Sequence, residues 1–352
     1  MNPESVGLPA DMPHQTTAEI VAKVHHLLTT GEGRDRISEL HRTVKILLRH
    51  ADSVGKSLKL ARSRSTATFY MNASKATAGR LRLSVRVGGV ECGELRLLNE
   101  ASNGGKQRIF TAANASRFPS CGQTPASGLD WADKAVRQYL ECASKVVRNP
   151  CAERSLANRE AVIEADLLRA MTKRRREHRQ DALAEHQPVL YPLRGLPFQF
   201  PMPIGARTFP TLGKGAGHID VLARAGRGGR RLRVFEVKGP NAPDVEHALN
   251  QAVAYCAALR FLLEESPRPE SEMLYKALGF RKTPRCHPRV EAVAVVKDTQ
   301  VNRIRISQAA NSLLDSSLSP FRLFSLFYTT SRHVTLFESI VPVGSSSNQP
   351  TQ

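Results

Sequence analysis

The sequence predicts an α/β fold, a mixed β-sheet flanked by helices, with a separate N-terminal α+β unit in front of it. Three observations predict it. Before residue 150 the hydrophobic period changes from helical to alternating and back again. Beyond residue 155 the order helix, three strands, helix, strand describes layers of helix on a mixed sheet. Within that region LRVFEVKGP (232–240) sets Glu236 and Lys238 inside a β-branched run. A charge there is costly unless it has a partner or a metal.

Taken in order, residues 1–15 are Pro-rich and polar and are expected to be disordered. Thr16 or Thr17 caps a first helix, on which Ile20, Val21, Val24, Leu27 and Leu28 recur at helical spacing up to Gly31. A second helix is expected from about residue 34 to 50, with Ile37, Leu40, Val44, Leu47 and Leu48 on one face. RLRLSVRVGGVECGELRLL (80–98) alternates about Gly88 and Gly89, a hairpin signal, and KQRIFTA (106–112) follows as a third strand. A Ser/Pro/Gly-rich loop leads to a helix over 130–147, which Asn149-Pro150 stops. Residues 16–148 therefore read as the N-terminal α+β domain. It shows no catalytic constellation; Arg82, Arg86, Arg96 and Arg108 form either a basic sheet face for phosphates or an ordinary solvated face.

The second domain is expected over 155–340. Its first helix carries Ile163, Leu167, Leu168 and Met171 and runs into KRRREHR (173–179). Strands follow near 189–193 and 197–204, then GHIDVLAR and RLRVFEVKGP, a helix over 244–263, a strand at 290–296, a helix over 307–314, and strands at 321–328 and 333–340. Residues 341–352 are expected to be a disordered tail.

Composition narrows the partners. The 352 residues hold 51 Lys plus Arg against 32 Asp plus Glu, a formal net charge of +19, and both halves are basic. Such a field favours polyanions, nucleic acid foremost. No run of residues is long and apolar enough to span a membrane, and no signal-like start is present, so a cytoplasmic location is expected. The six cysteines include no Cys-x-x-Cys pair, which argues against a zinc site or a disulfide framework.

On the quoted strand, alternation puts Val234, Glu236 and Lys238 on one face. The preceding run offers Asp220, and AGRGGR (225–230) is a glycine-rich turn. If the turn centres on Gly228, Asp220 and Glu236 are equidistant from it and stand opposite each other. Two carboxylates on one face with roots about 5 Å apart repel unless a cation intervenes, and oxygen ligands suit Mg²⁺. Lys238 then stands beside the metal, placed to help a water attack and to offset charge on a phosphate.

Ile219-Asp220, Glu236-Val237-Lys238 and, thirteen residues on, Gln251-x-x-x-Tyr255 together resemble the PD-(D/E)XK nuclease superfamily, in its RecB-like branch. The resemblance covers about residues 155–300. It implies a restriction-endonuclease-like fold and a Mg²⁺- or Mn²⁺-dependent deoxyribonuclease, with RNA also admitted as substrate. Asp220, Glu236 and Lys238 would be catalytic; Asp220, Glu236 and the Val237 carbonyl would hold the metal. The first core helix often lends another acid, here Glu160 or Glu164, with Glu164 preferred. Gln251 and Tyr255 would contact nucleic acid and support the site, and Arg224, Arg230 and Arg231 would grip phosphates. Two departures stand: Ile219 replaces the proline before the first acid, and a helical G-x-x-H motif is absent. Proteins of this kind with an unfamiliar front domain look like phage-defence or mobile-element effectors, and the front domain would choose the target or bind a second copy or another protein. The alternative reading is a catalytically inactive nucleic-acid-binding protein on the same fold.

Overall fold

The computed structural model describes residues 15–63, 69–77, 80–98, 107–113, 118, 121, 125–146, 159–172, 183, 185–188, 198–205, 217–226, 230–314, 320–331 and 334–343. The expected disordered start, KRRREHR, the strand at 189–193 and residues 344–352 lie outside them. The chain opens with helices α1 (Thr17–Thr29) and α2 (Gly31–Ser63). Strands β1 (Phe69–Thr77), β2 (Arg80–Val87), β3 (Val90–Leu98), β4 (Arg108–Ala112) and β5 (Leu129–Asp130) follow, then α3 (Lys134–Val146) and α4 (Arg159–Thr172). Next come β6 (Gln187–Pro188), β7 (Phe198–Pro201), β8 (His218–Ile219), β9 (Val221–Ala225) and β10 (Arg231–Val237). The last elements are α5 (His247–Glu264), α6 (Arg268–Ala277), β11 (Arg289–Lys297), α7 (Gln300–Leu314), β12 (Arg322–Ser331), β13 (Val334–Phe337) and β14 (Val341–Pro342).

The protein is mixed α/β. One sheet runs β5-β4-β3-β2-β1-β7-β8 and the other β13-β12-β11-β10-β9-β6, with β14 also on β12. In the second sheet β10, β11 and β12 are parallel, and the β9–β10 and β12–β13 pairs are antiparallel.

Local chemistry explains why these elements start and turn where they do. Thr16 caps α1: its hydroxyl accepts from Glu19 N–H at 3.2 Å, and Glu19 Oε2 accepts from Thr16 N–H at 2.8 Å, a reciprocal box that satisfies two orphan donors. The β2–β3 hairpin turns at Gly88 (φ 56°) and Gly89 (φ 91°), the pair of left-handed residues that a tight, strand-twist-matched turn requires.

Residues 16–148 and 155–340, expected as separate units, share a core. Ile20, Val24 and Leu28 of α1 are fully buried, and α1 packs along α5. There His25 meets Phe261 edge-on at 5.2 Å, and the Thr17 hydroxyl donates to the Leu313 carbonyl at 2.8 Å. The first sheet is itself shared, since β7 pairs in parallel with β1 and then with β8. One face of the second sheet (Leu232, Val234, Ala292) packs in the same cluster as α5. Its other face (Phe235, Val293, Val295) packs against Ile163 and Leu167 of α4.

Several boundaries differ from the sequence reading. Helix α2 continues to Ser63, α7 begins at Gln300, and Val341–Pro342 form a strand where a loose tail was expected. The arginines of the first sheet do not make a basic face. Glu94 sits between Arg82 and Arg96 at 2.7 Å from each, Asp130 is 3.5 Å from Arg108, and Arg86 donates to Ser84. Glu94 and Asp130 pair with three of the four, as on an ordinary solvated face.

Candidate metal centre

Both sheets meet at Asp220. It occupies the bend between β8, the last strand of the first sheet, and β9 of the second. The register of the β9–β10 hairpin is the expected one: Ala225 pairs with Arg231 and Val221 with Phe235, each pair centred on residue 228. At Asp220 the ladder stops, and the side chain takes over: Oδ2 accepts from Val237 N–H at 2.8 Å. A carboxylate thus replaces a backbone carbonyl and is fixed beside the end of β10. Val237 meets the cluster through that N–H.

Helix α4 brings the other acids. Glu160 and Glu164 are four residues apart and so share a helical face. With Asp220 they form a group in which one carboxylate oxygen from each residue lies within 4.8 Å of the other two. Glu164, the acid preferred from the sequence, is buried, and Glu160, the alternative, is half-buried in the same group.

Glu236 is the neighbour of this trio on β10. It is 5 % exposed. Its Oε1 accepts from Lys238 Nζ at 3.2 Å, and its Oε2 is buried with no hydrogen-bond donor. Lys238 Nζ also donates to Gln251 Oε1 on α5, so Gln251 holds the ammonium from the helix side. The Tyr255 hydroxyl hydrogen-bonds the backbone of His218, next to the bend that carries Asp220. Tyr328 was not foreseen: from β12 its hydroxyl donates to the Lys238 carbonyl at 2.9 Å and anchors the peptide after β10. No sequence spacing links residues 238 and 328; only the parallel order of β10, β11 and β12 brings them together.

Proton affinities follow from this crowding. Burial, then Glu236 and Glu164, and further Glu160, push the Asp220 carboxyl well above the usual range, against the pull of Val237 N–H. Burial pushes Glu236 up to about 7, Lys238 offsetting part of the effect. Glu160 is raised by burial too, moderated by Lys238 and the Gly239 N–H. For Lys238 burial works downward, but Glu236, Asp220 and Glu160 outweigh it and the net shift is upward. Four acids and one ammonium leave a net negative pocket with an orphaned carboxylate oxygen. That donor set, all hard oxygen, fits a divalent cation such as Mg²⁺ or Mn²⁺.

A thermal shift tests the fit. Mn²⁺ at about a hundred times its Kd is expected to stabilise the fold by about 2.7 kcal/mol, read as a concentration-dependent rise in Tm. The shift should shrink as pH falls through 7, where Glu236 takes up a competing proton.

The expected phosphate-gripping arginines do not converge on this centre. Arg224, Arg230 and Arg231 lie at the turn end of β9 and β10, five residues from Glu236, about 16 Å along the strand. Arg224 donates to the Gly279 carbonyl and stacks on Phe280 at 4.2 Å, and Arg231 faces Glu185 and Glu291. Arg233, on the same hairpin, is buried against Glu291 at 2.7 Å and over Phe324. Among the described residues, no helix is long and apolar enough to cross a membrane. No protein-family model, characterised protein or solved structure matches this chain.

Proposed function

We propose that this protein is a metal-dependent nuclease acting on DNA, on a restriction-endonuclease-like sheet of the PD-(D/E)XK type. The observation that carries the reading is the convergence of Asp220, Glu160 and Glu164 beside Glu236, whose Oε2 is buried without a donor while Lys238 stands within reach of its other oxygen. A buried ion pair repays its desolvation only when its geometry is good and its remaining lone pairs are satisfied; here Glu236 Oε2 has no donor, the Glu236 and Asp220 carboxyls lie within hydrogen-bond reach of each other, and Glu160 and Glu164 crowd the same place. Such an arrangement suits an ion that comes and goes with the solvent.

In this reading Asp220, Glu236, Glu164 and Glu160 hold the metal. When bound, Mg²⁺ or Mn²⁺ supplies Lewis-acid stabilisation of the scissile phosphate and makes a coordinated water more acidic. Lys238, kept protonated by its acidic neighbours, presents positive charge and a proton at Nζ, where it offsets the charge that develops on the phosphate. Gln251 sets the direction of that ammonium. Tyr328, through the Lys238 carbonyl, anchors the residue that carries the ammonium, and Tyr255, through the His218 backbone, anchors the strand two residues before Asp220.

The test is incubation with linear and circular, single- and double-stranded DNA and with RNA, with and without Mg²⁺ or Mn²⁺. Metal-dependent cleavage of DNA is expected. Lys238→Ala should slow it by about 10²-fold or more while the Mn²⁺-induced rise in Tm remains. Equal cleavage by parent and Lys238→Ala refutes the mechanism.

A further inference from the structure

We infer that a second site, at the end of the sheet opposite the carboxylates, docks the phosphate backbone of nucleic acid. The parallel strands β10, β11 and β12 have their acidic cluster at the C-terminal end of β10. At their N-terminal ends lies a concave pocket of about 430 Å³. Its polar lining is Arg260, Glu264, His287, Arg289, Glu291 and Arg322, over apolar ground that includes Val290 and Phe321.

The charge available in that pocket is positive. Glu291 is 1 % exposed and is bound by Arg233 at 2.7 Å. Glu264 is held by Arg260 at 2.9 Å. Arg289 and Arg322, which open the neighbouring strands β11 and β12, are exposed, and among the described residues neither guanidinium has an ion pair or hydrogen bond to the protein. They contrast with Arg224, Arg231 and Arg233, each committed to internal partners. Arg322 stands in register with Glu291, which Arg233 already binds, and Arg289 lies two residues before Glu291 on the neighbouring strand; both guanidiniums are left to an external anion, and a phosphate matches their fork geometry.

The positive charge also extends beyond the pocket, which favours a polymer over a single small anion. The segment between α6 and β11 adds Arg281, Lys282 and Arg285, all exposed, and Arg230 lies alongside, its carbonyl accepting from Arg289 N–H at 3.1 Å. Arg289 is in register with Arg231 and Ala294 with Glu236. The two ends are therefore about 16 Å apart, on the order of five phosphates along one strand of B-form DNA. That the docked polymer is also the substrate rests on the nuclease reading; that it docks does not.

Fluorescence anisotropy in EDTA, with a labelled DNA duplex of about thirty base pairs, tests the inference. Arg289→Glu/Arg322→Glu should weaken binding by about tenfold or more and lower the slope of log K against log salt by about 2. Arg34→Glu/Arg268→Glu removes the same charge at exposed helix positions outside the pocket and should do much less. Hydrolysis of a small phosphodiester, bis(p-nitrophenyl) phosphate, in Mn²⁺ should be the same for the Arg289→Glu/Arg322→Glu variant and the parent, since a molecule at the carboxylates is too short to touch the pocket about 16 Å away. The inference falls if the pocket variant binds DNA as the parent does, if the two double variants weaken it equally, or if AMP displaces the duplex at micromolar concentration, which would mark a mononucleotide pocket. Absence of hydrolysis by the parent would instead overturn the nuclease reading and leave the docking result standing.

Discussion

Glu236→Gln is expected to abolish hydrolysis and yet, in EDTA at pH 8, to raise Tm. The loss of activity, on the order of 10³-fold, follows from removing a buried anion that stands beside the acidic trio of the proposed metal site and holds Lys238. The gain in stability follows from the same crowding. Glu236 is raised from 4.5 in the unfolded chain to about 7 in the fold, so the folded state binds its proton more tightly. At pH 8 the group is ionised in both states, and the folded state bears a penalty on the order of 3 kcal/mol, one pKa unit being about 1.36 kcal/mol. That penalty declines as pH falls through 7 and is gone below the unfolded value near 4.5. Melts of parent and Glu236→Gln should therefore separate at pH 8 and coincide near pH 4. In saturating Mn²⁺ the difference should narrow or invert, because the parent alone gains the full binding energy. If Glu236→Gln melts lower than the parent in EDTA at pH 8, the carboxylates are not held in mutual repulsion and the metal site loses its physical basis.

The parts of this centre that were legible in the sequence are those governed by short-range periodicity. A two-residue period and a glycine turn fixed which residue of β9 faces which residue of β10, and the hairpin register about residue 228 is the one those rules dictate. The four-residue helical repeat likewise placed Gln251 with Tyr255, whereas Glu160 and Glu164 were offered as alternatives and the structure brings both to Asp220. What the sequence did not reveal depends on long-range pairing. FYMNASKAT has neither a clean alternation nor flanking turn residues, yet it forms β1 because β2 and β7 pair with its two edges. Tyr328 reaches Lys238 only because β11 intervenes between their strands. For the arginines of the first sheet the sequence left a phosphate face and a solvated face open, and the pairing with Glu94 and Asp130 favours the second. A strand rise of about 3.3 Å per residue would already have placed Arg231 too far from Glu236 to share a phosphate with it.

Gly89→Ala is the other substitution with a large expected effect, because it tests whether the first sheet holds the acids of α4 in place. A Cβ at residue 89 would lie 2.8 Å from the Ala161 carbonyl oxygen and 2.9 Å from its carbon, both backbone atoms of α4 between Glu160 and Glu164. Gly89 has φ +91°, so the side chain also meets intrinsic strain. The methyl cannot be absorbed by a rotamer; either the hairpin tip lifts or α4 shifts. Strain of about 1 kcal/mol and overpacking of about 1–3 kcal/mol together predict a loss of roughly 2–4 kcal/mol. Gly128→Ala provides the comparison: φ is +81° there, but nothing lies within 4 Å of the added carbon, so only the strain should appear. Where α4 moves, the oxygens of Glu160 and Glu164 move away from Asp220, and the Mn²⁺-induced rise in Tm should fall with them, while Gly128→Ala keeps it. Equal destabilisation by the two variants, with the Mn²⁺ response intact in both, would mean that the hairpin tip merely touches α4. A selective loss at Gly89 would mean that the N-terminal sheet sets the geometry of the acidic cluster twice over, through the tip against Ala161 and through the β1–β7–β8 pairing that ends at Asp220.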